Sequence, residues 1–368
     1  MSYTARAAIT RAVNTPVVVE TITVDGPKSD EVTIKLGACG VCHSDLSAVN
    51  GTLPFPPPVV LGHEGAGTVV EVGAGVTEFA VGDTVLSSFV SMCGQCRYCS
   101  TGRPALCDLS GKALLTLPDG TLRTHDAQGQ PLKIFSGCGV MAEYATLHVD
   151  NVVRIDAAMP LDKAALIGCG VMTGVGAAVN TAKVEPGSAT VVFGCGGVGL
   201  NAIQGCAIAG ARIIVAVDTA DAKLDLAKQF GATHTLNAKS EENVVKALKK
   251  LTEGGADYAF ECVGLGDIAA QAYGCLRKGG TAVVVGVAAP KDTTTIRTAT
   301  LTFEEKTLKG SYFGSARPQQ DFPRLIGLYR SGRLKLDELI TRTYGIDEAP
   351  QAFADLAAGR NARGVILF

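Results

Sequence analysis

The stretch "ATVVFGCGGVGLNAIQG", residues 189–205, constrains the fold more than any other part of the chain. A short β-branched run feeds directly into Gly194, Gly196 and Gly199 and then into an apolar helical pattern. A strand that turns so tightly into a helix continues as a crossover to a parallel strand, which makes this part of the chain α/β. Glycines at these positions also let the backbone approach a pyrophosphate at a helix N-terminus, although a purely structural turn has the same pattern. Asp218 ends the next strand, "ARIIVAVD", close to the offset of about 20 residues at which an acid binds an adenosine ribose. A carboxylate there repels a 2'-phosphate, so the pair predicts NAD over NADP; the alternative role of Asp218 is a helix N-cap for "TADAKLDLAK".

The remaining sequence has two textures. Residues 1 to about 173 read as short β-rich segments such as "VTIKLGACG", "AGTVVEVGAG" and "GDTVLSSFV", broken by Gly and Pro. From 174 to 310 strands and helices alternate, as in a doubly wound parallel sheet: "DAKLDLAKQFGA" and "DIAAQAYGCLRKGG" are helical, "DYAFECVG" and "GGTAVVVGVAA" extended. After 311 come two helical stretches and a final strand, "GVILF", able to return to the first domain. The expected division is therefore 1–173 with 311–368, and 174–310. A length of 368 residues agrees with two cores rather than one.

A formal charge of -2 supplies no field to hold nucleic acid or an anionic membrane. The first twenty residues lack a signal-peptide core and no apolar run is expected to reach spanning length, so the expected location is cytoplasmic. In that compartment twelve cysteines point to metal ligation wherever they cluster. In "CGQCRYCSTGRPALC", Cys93, Cys96, Cys99 and Cys107 have the spacing of a closed tetrahedral zinc site with no open position, which makes the lobe structural; an iron-sulfur cluster is the alternative. Arg97 and Arg103 offset its negative charge. A second set is Cys42 in "ACGVCHSDL", His63 in "GHEGAG" and Cys169 in "IGCGVMTG". Two thiolates and a neutral imidazole cancel the charge of Zn(II) and leave a fourth position for water or alcohol.

These motifs, taken in order with "GHEGAGTVVEVGAGVTEFAVGDTV" and "GRNARGVILF", make the chain resemble the zinc-containing medium-chain alcohol dehydrogenases over essentially its whole length, in their class I/III-like and aryl-alcohol branch. The resemblance implies a GroES-like β-rich catalytic domain and a Rossmann NAD-binding domain, with the catalytic zinc and the nicotinamide meeting in the cleft between them. By position, Cys42, His63 and Cys169 correspond to the catalytic zinc ligands, and Cys93, Cys96, Cys99 and Cys107 to the structural zinc, two ions per chain. Asp45 corresponds to the acid that orients His63, Glu64 to an acid behind the metal, and Cys39 to a buried thiol. His43 and Arg363 match groups at the cofactor pyrophosphate. Gly194, Gly196, Gly197, Val198, Gly199, Asp218 and Lys223 match the dinucleotide site, and Thr173, Val198 and Val287 lie near the nicotinamide. Ser44 matches the group that takes the alcohol proton. The family's histidine five residues after the cysteine ligand is Ser47 here, which requires another exit for that proton.

Leu53, Phe89 and Phe135 match the substrate channel, an apolar pocket suited to medium-chain or aromatic primary alcohols and their aldehydes. The acid and arginine of relatives that oxidise a glutathione adduct are missing from "NGTLPFPPPVV" and "DLSGKALLTLPDG". The polar stretch 110–137 is expected to form a loop at the pocket entrance. No nucleic acid or membrane partner is expected, and the family implies a homodimer or homotetramer. Two other readings are a carbonyl reductase working in the reverse direction and a non-catalytic zinc redox sensor.

Overall fold

The strand Glu31–Val41 organises the first of two units in the computed structural model, which describes residues 1–368. Its eleven residues are buried on both faces except around Lys35 and Gly37, so its run of apolar and small residues reads continuously rather than alternately. One edge pairs antiparallel with Gly65–Val72; the other pairs first with Tyr144–His148 and then with the C-terminal strand Arg363–Leu367. The register places Ile366 opposite Cys39 and Gly364 opposite Val41. The final strand thus returns to the first unit, carrying Arg363 to the end of the strand that precedes Cys42. Thr84–Ser87, Val152–Arg154 and Ile340–Gly345 complete a seven-stranded sheet. A five-stranded sheet is built on Ser2–Thr10 and Val18–Asp25.

The second unit holds six parallel strands, in the spatial order His234–Asn237, Ile213–Asp218, Ala189–Phe193, Ala256–Glu261, Leu276–Val284, Thr307–Gly310. Strand order reverses at Ala189–Phe193, and at such a switch point a doubly wound sheet binds ligands at its carboxyl ends. All five side chains of that strand are buried. The helix Gly197–Ile208 follows it directly.

The units are Met1–Cys169 with Arg317–Arg330 and Leu336–Phe368, and Gly170–Ala316 with Ser331–Lys335. The boundaries fall at 169/170 and 316/317 rather than at 173/174 and 310/311, for a packing reason. A side chain at Gly314 would overlap the Met172 carbonyl and Gly176, and the Thr181 hydroxyl pairs with those of Ser311 and Ser315. Both segments therefore pack with the second unit. Ser331–Lys335 joins it through Gln204, whose side chain donates to the Lys335 carbonyl and accepts from the Lys335 N–H.

Three other expectations change. The stretch 110–137 is not one loop: Thr124–His125 pairs with Val18–Asp25, and Lys133–Ile134 with Val59–Val60. The helix in "DIAAQAYGCLRKGG" ends at Gly274, because Leu276 already begins the next strand. Leu161–Ala182 is a 22-residue helical run long and apolar enough by composition to cross a membrane, contrary to the reading that no run reaches that length. Its most apolar stretch is 89% buried, so the apolarity serves packing.

Arg123, within that stitched segment, is buried and donates from Nε and Nη2 to the two carboxylate oxygens of buried Glu31. Removing one member of such a pair strands the other charge, at a cost of about 3–5 kcal/mol. Arg123→Met is expected to lower the free energy of urea unfolding by about 3 kcal/mol, and adding Glu31→Leu is expected to restore most of it. A double variant no more stable than the single one would contradict this account.

Candidate active site

Four side chains from three elements converge in the first unit. Cys42 follows the central strand and precedes the short helix His43–Val49. His63 and Glu64 lie just before the strand Gly65–Val72. Cys169 sits in a π-helical turn, Ile167–Val171, of the long helical run; such widened turns are frequent where a helix must offer a side chain to a site. The ligating atoms of Cys42, His63, Glu64 and Cys169 all lie within 4.8 Å of one another, and all four residues are buried. Nε2 of His63 has no hydrogen-bond partner, while Nδ1 faces the Asp45 carboxylate. A buried imidazole nitrogen left unsatisfied beside two thiols is costly unless a cation takes up its electron pair, and soft sulfur with imidazole suits zinc.

The surroundings orient this set. Oδ2 of Asp45 stands 3.2 Å from Nδ1 of His63, and Oδ1 accepts from the Gly62 N–H at 2.8 Å. That leaves Nε2 as the metal-facing nitrogen. Burial lowers the His63 pKa, but Asp45 and Cys42 outweigh it and raise the value well above the usual range. The bond from the Cys169 thiol, aided by His63, holds Cys42 well below the ordinary thiol range against its burial. Burial pushes Glu64 up to about 7, opposed by Arg363.

Arg363 is itself buried, and its Nη2 donates to Oε2 of Glu64. This pairing was not foreseen from the motifs. Its sequence signal is Gly40, where a side chain would overlap both the Glu64 carboxylate and the Arg363 guanidinium. A second unforeseen group is Ser87, buried, whose Oγ accepts from the Gly65 N–H at 2.8 Å and donates to the His63 carbonyl at 3.3 Å. One hydroxyl thus fixes the backbone on both sides of Glu64.

The other residues of "ACGVCHSDL" separate by exposure. Cys39 is fully buried in the core. His43 is exposed on the first turn of its helix. Ser44 is half-buried, with Oγ 3.8 Å from the Cys42 sulfur. Ser47 is half-buried, and its carbonyl accepts from the Leu53 N–H at 3.0 Å. The rings of Phe89 and Phe135 stand edge-on to His63, at centroid distances of 5.5 Å and 5.3 Å. Leu53 is half-buried, and its N–H donates to the Ser47 carbonyl.

The four thiols of Cys93, Cys96, Cys99 and Cys107 also gather within 4.8 Å of one another. Backbone N–H groups of Cys96 and Cys99 donate to the sulfurs of Cys93 and Cys96. The amides of Cys99 and Asp108 pull the Cys96 thiol down to about 6. Four converging sulfurs, with amides aimed at them, fit a closed metal site.

In the second unit Gly194 has φ +88°, and a side chain at Gly199 would overlap the Gly194 carbonyl. Beside Gly196 nothing lies within 4 Å of where a side chain would start, and the helix Gly197–Ile208 has no side-chain cap. That open, uncapped N-terminus fits a pyrophosphate. Asp218 accepts from the Cys195 N–H through Oδ2 and from those of Thr219 and Ala220 through Oδ1. It is not the helix N-cap, which is Ala220. Thr173, Val198 and Lys223 are half-buried, and Val287 is 64% exposed.

Residues 28–157 match the family model of the alcohol dehydrogenase GroES-like domain, and residues 197–331 that of the zinc-binding dehydrogenases. Among curated relatives, an NDMA-dependent alcohol dehydrogenase of Amycolatopsis methanolica is 41% identical over 98% of each chain. An S-(hydroxymethyl)glutathione dehydrogenase of Paracoccus denitrificans is 39% identical over 99% of each. Among solved structures, the benzyl alcohol dehydrogenase of Acinetobacter calcoaceticus superimposes with a TM-score of 0.92 at 34% identity, covering 100% of this chain and 99% of the other.

Ser87→Ala leaves the buried Gly65 N–H unpaired, a loss worth about 1–3 kcal/mol. We expect a lower urea midpoint with an unchanged m-value, whereas an unchanged midpoint would show that the Ser87 bridge does not stabilise the fold.

Proposed function

Because the chain belongs to the zinc-binding alcohol dehydrogenases, oxidoreductases that act on small-molecule alcohols with zinc and a nicotinamide cofactor, we propose that it moves a hydride between a primary alcohol, aromatic or of medium chain length, and NAD, giving the aldehyde. The buried convergence of Cys42, His63 and Cys169 beside Ser44 carries this reading. In it these three residues hold the catalytic zinc, and Cys93, Cys96, Cys99 and Cys107 hold a structural one, two ions per chain. When bound, zinc acidifies an alcohol as it acidifies water, and NAD accepts the hydride.

The chain's own groups do the rest. The Ser44 hydroxyl both accepts and donates, so it takes the alcohol proton and passes it on. Asp45 sets the tautomer of His63. Phe89 and Phe135 keep water from the imidazole and offer aromatic edges to an apolar substrate. Nη2 of buried Arg363 is taken by Glu64, and its Nε, also buried, has no partner. Exposed His43 is therefore the better placed of the two for the pyrophosphate. Asp218 is pinned by three backbone amides with its charge at the end of its strand, which supports NAD over NADP. Without the acid and arginine of glutathione-adduct enzymes, a free alcohol is the expected substrate. All twelve cysteines are free of disulfides, which suits the reducing cytoplasm. The family resemblance supports a homodimer or homotetramer.

Zinc-loaded protein given benzyl alcohol and NAD is expected to form reduced nicotinamide. Silence toward aromatic and medium-chain alcohols and aldehydes, assayed in both directions with both cofactors, would overturn the reading. Asp218→Ala is expected to shift the NAD:NADP ratio of kcat/KM by roughly ten-fold toward NADP, about 1.4 kcal/mol; an unmoved ratio removes Asp218 from cofactor choice. Ser47→His places an imidazole of pKa about 6.5 on the path of the proton. Above that pH the neutral ring accepts it, so oxidation should gain near pH 7 while reduction changes less. Identical profiles would place the path elsewhere.

A further inference from the structure

Asn151 belongs to none of the motifs, yet a buried polar network converges on it. It immediately precedes the strand Val152–Arg154, which pairs with Thr84–Ser87. Its carbonyl accepts from the Ser88 N–H at 2.8 Å, and its side-chain Nδ2 donates to the Ser88 carbonyl at 2.7 Å. Both backbone groups of Ser88 are thus held by one residue, which extends the ladder past its last pair. Oδ1 of the same amide accepts from the Ser91 hydroxyl at 2.8 Å. The Ser91 carbonyl in turn accepts from the hydroxyl of Ser110, on the helix that follows Cys107, at 3.1 Å. Asn151, Ser88 and Ser91 are 2%, 1% and 1% exposed, so water offers no substitute for these bonds.

Between the two pinned points lie Phe89 and Val90, and two residues beyond Ser91 comes Cys93. We propose that Asn151 is a positioning residue of the substrate site: through Ser91 and Ser110 it couples the four-cysteine lobe to the Ser88–Ser91 segment, and so sets where the Phe89 ring stands and which alcohols are accepted. The coupling to alcohols rests on the proposed function; the coupling to Phe89 does not. The amide of Asn151 satisfies two partners in opposite senses, donating to one end of the segment and accepting from the other. Only a side chain carrying both a donor and an acceptor closes this span. Removing it leaves the buried Ser91 hydroxyl without a partner and the Ser88 carbonyl with only the weak Cys138 thiol donor at 3.7 Å, and the segment regains its bonds by moving toward water. Phe89 moves with its backbone, and its edge contact to His63, 5.5 Å between centroids, opens. A shift of about 1 Å in a positioning group can cost 100-fold in rate.

The chain has no tryptophan, so Phe89→Trp supplies a single emitter at the wall itself. In that background, Asn151→Ala is expected to red-shift the emission and raise acrylamide quenching about two-fold or more, the sign of a ring leaving a packed site. Ser91→Ala and Ser110→Ala should move both in the same direction by less. In the Phe89 protein, zinc-loaded, Asn151→Ala is expected to change the ratio of kcat/KM for benzyl alcohol to that for ethanol by about ten-fold, mainly through KM. Thr146→Val is the control for general loss of stability, since it breaks a buried hydroxyl pair with Thr33 and the bond to the Asp25 carbonyl, away from the segment. It should alter neither emission nor ratio. Unchanged emission in Asn151→Ala, or equal changes in Thr146→Val, overturns the proposal. If Asn151→Ala does not fold, Ser91→Ala, which deletes one hydroxyl, decides in the same way. If the unaltered enzyme oxidises neither alcohol, the proposed function fails, while the emission still decides whether Asn151 positions residue 89.

Discussion

Two thiols, an imidazole and a carboxylate within 4.8 Å of one another, all buried, form the constraint around which the first unit is arranged. Left to themselves, such groups oppose folding, because burial penalises each charge and leaves Nε2 of His63 without a partner. The fold answers locally where it can. Arg363 is brought by the last strand to meet Glu64, Asp45 is turned to His63, and Gly40 leaves the space that the Glu64–Arg363 pair fills. What these contacts do not neutralise is the electron-pair density of Cys42, His63 and Cys169, and that is the part a divalent cation complements. The position of the C-terminal strand follows from the same need, since its pairing beside Cys39 to Val41 is what delivers Arg363.

The second unit solves a different problem by the same means, with backbone instead of side chains. Gly194 adopts a left-handed φ, Gly199 lets the turn close on itself, and the first N–H groups of Gly197–Ile208 are left uncapped. Asp218 braces this turn by accepting from the Cys195 N–H. One carboxylate is therefore both a structural pin and a fixed negative charge at the rim of the sheet. A side chain held by three amides keeps its charge in place at little further entropic cost, which is what a charge-based choice between cofactors requires.

The parts legible in the sequence were those where one residue type has few physical substitutes. Cysteines at metal spacing, glycines in a strand–turn–helix, and the continuous apolar strand Ala189–Phe193 identified both units and both thiol clusters. Less legible were features set by long-range packing. The strand His234–Asn237 and the helix Thr298–Phe303 carry little apolar pattern, being a short sheet member and an exposed helix. The stretch 110–137 looked like a loop because its order comes from two-residue strand pairings and from the Arg123–Glu31 pair, 92 residues apart in sequence. Ser87, Asn151 and the partner of Arg363 escaped for the same reason: a serine, an asparagine and an arginine announce nothing until the chain has folded.

This division explains why chemistry and specificity differ in how plainly they are encoded. A metal set depends on ligand identity, and each missing ligand is a large loss, so its residues stand out as a pattern. An apolar pocket discriminates weakly per contact: one methylene more or less is worth about 1–3 kcal/mol. Phe89 and Phe135 are ordinary core residues by type, and what marks them for the proposed substrate wall is that they stand edge-on to His63. Where Phe89 stands is decided by the backbone of Ser88–Ser91, which the amide of Asn151 spans and which the cysteine lobe continues through Ser110. The lobe in which four sulfurs gather within 4.8 Å is tied to that segment through three buried hydrogen bonds, and such a tie is a means of holding an aromatic ring to the tolerance that selection among alcohols demands.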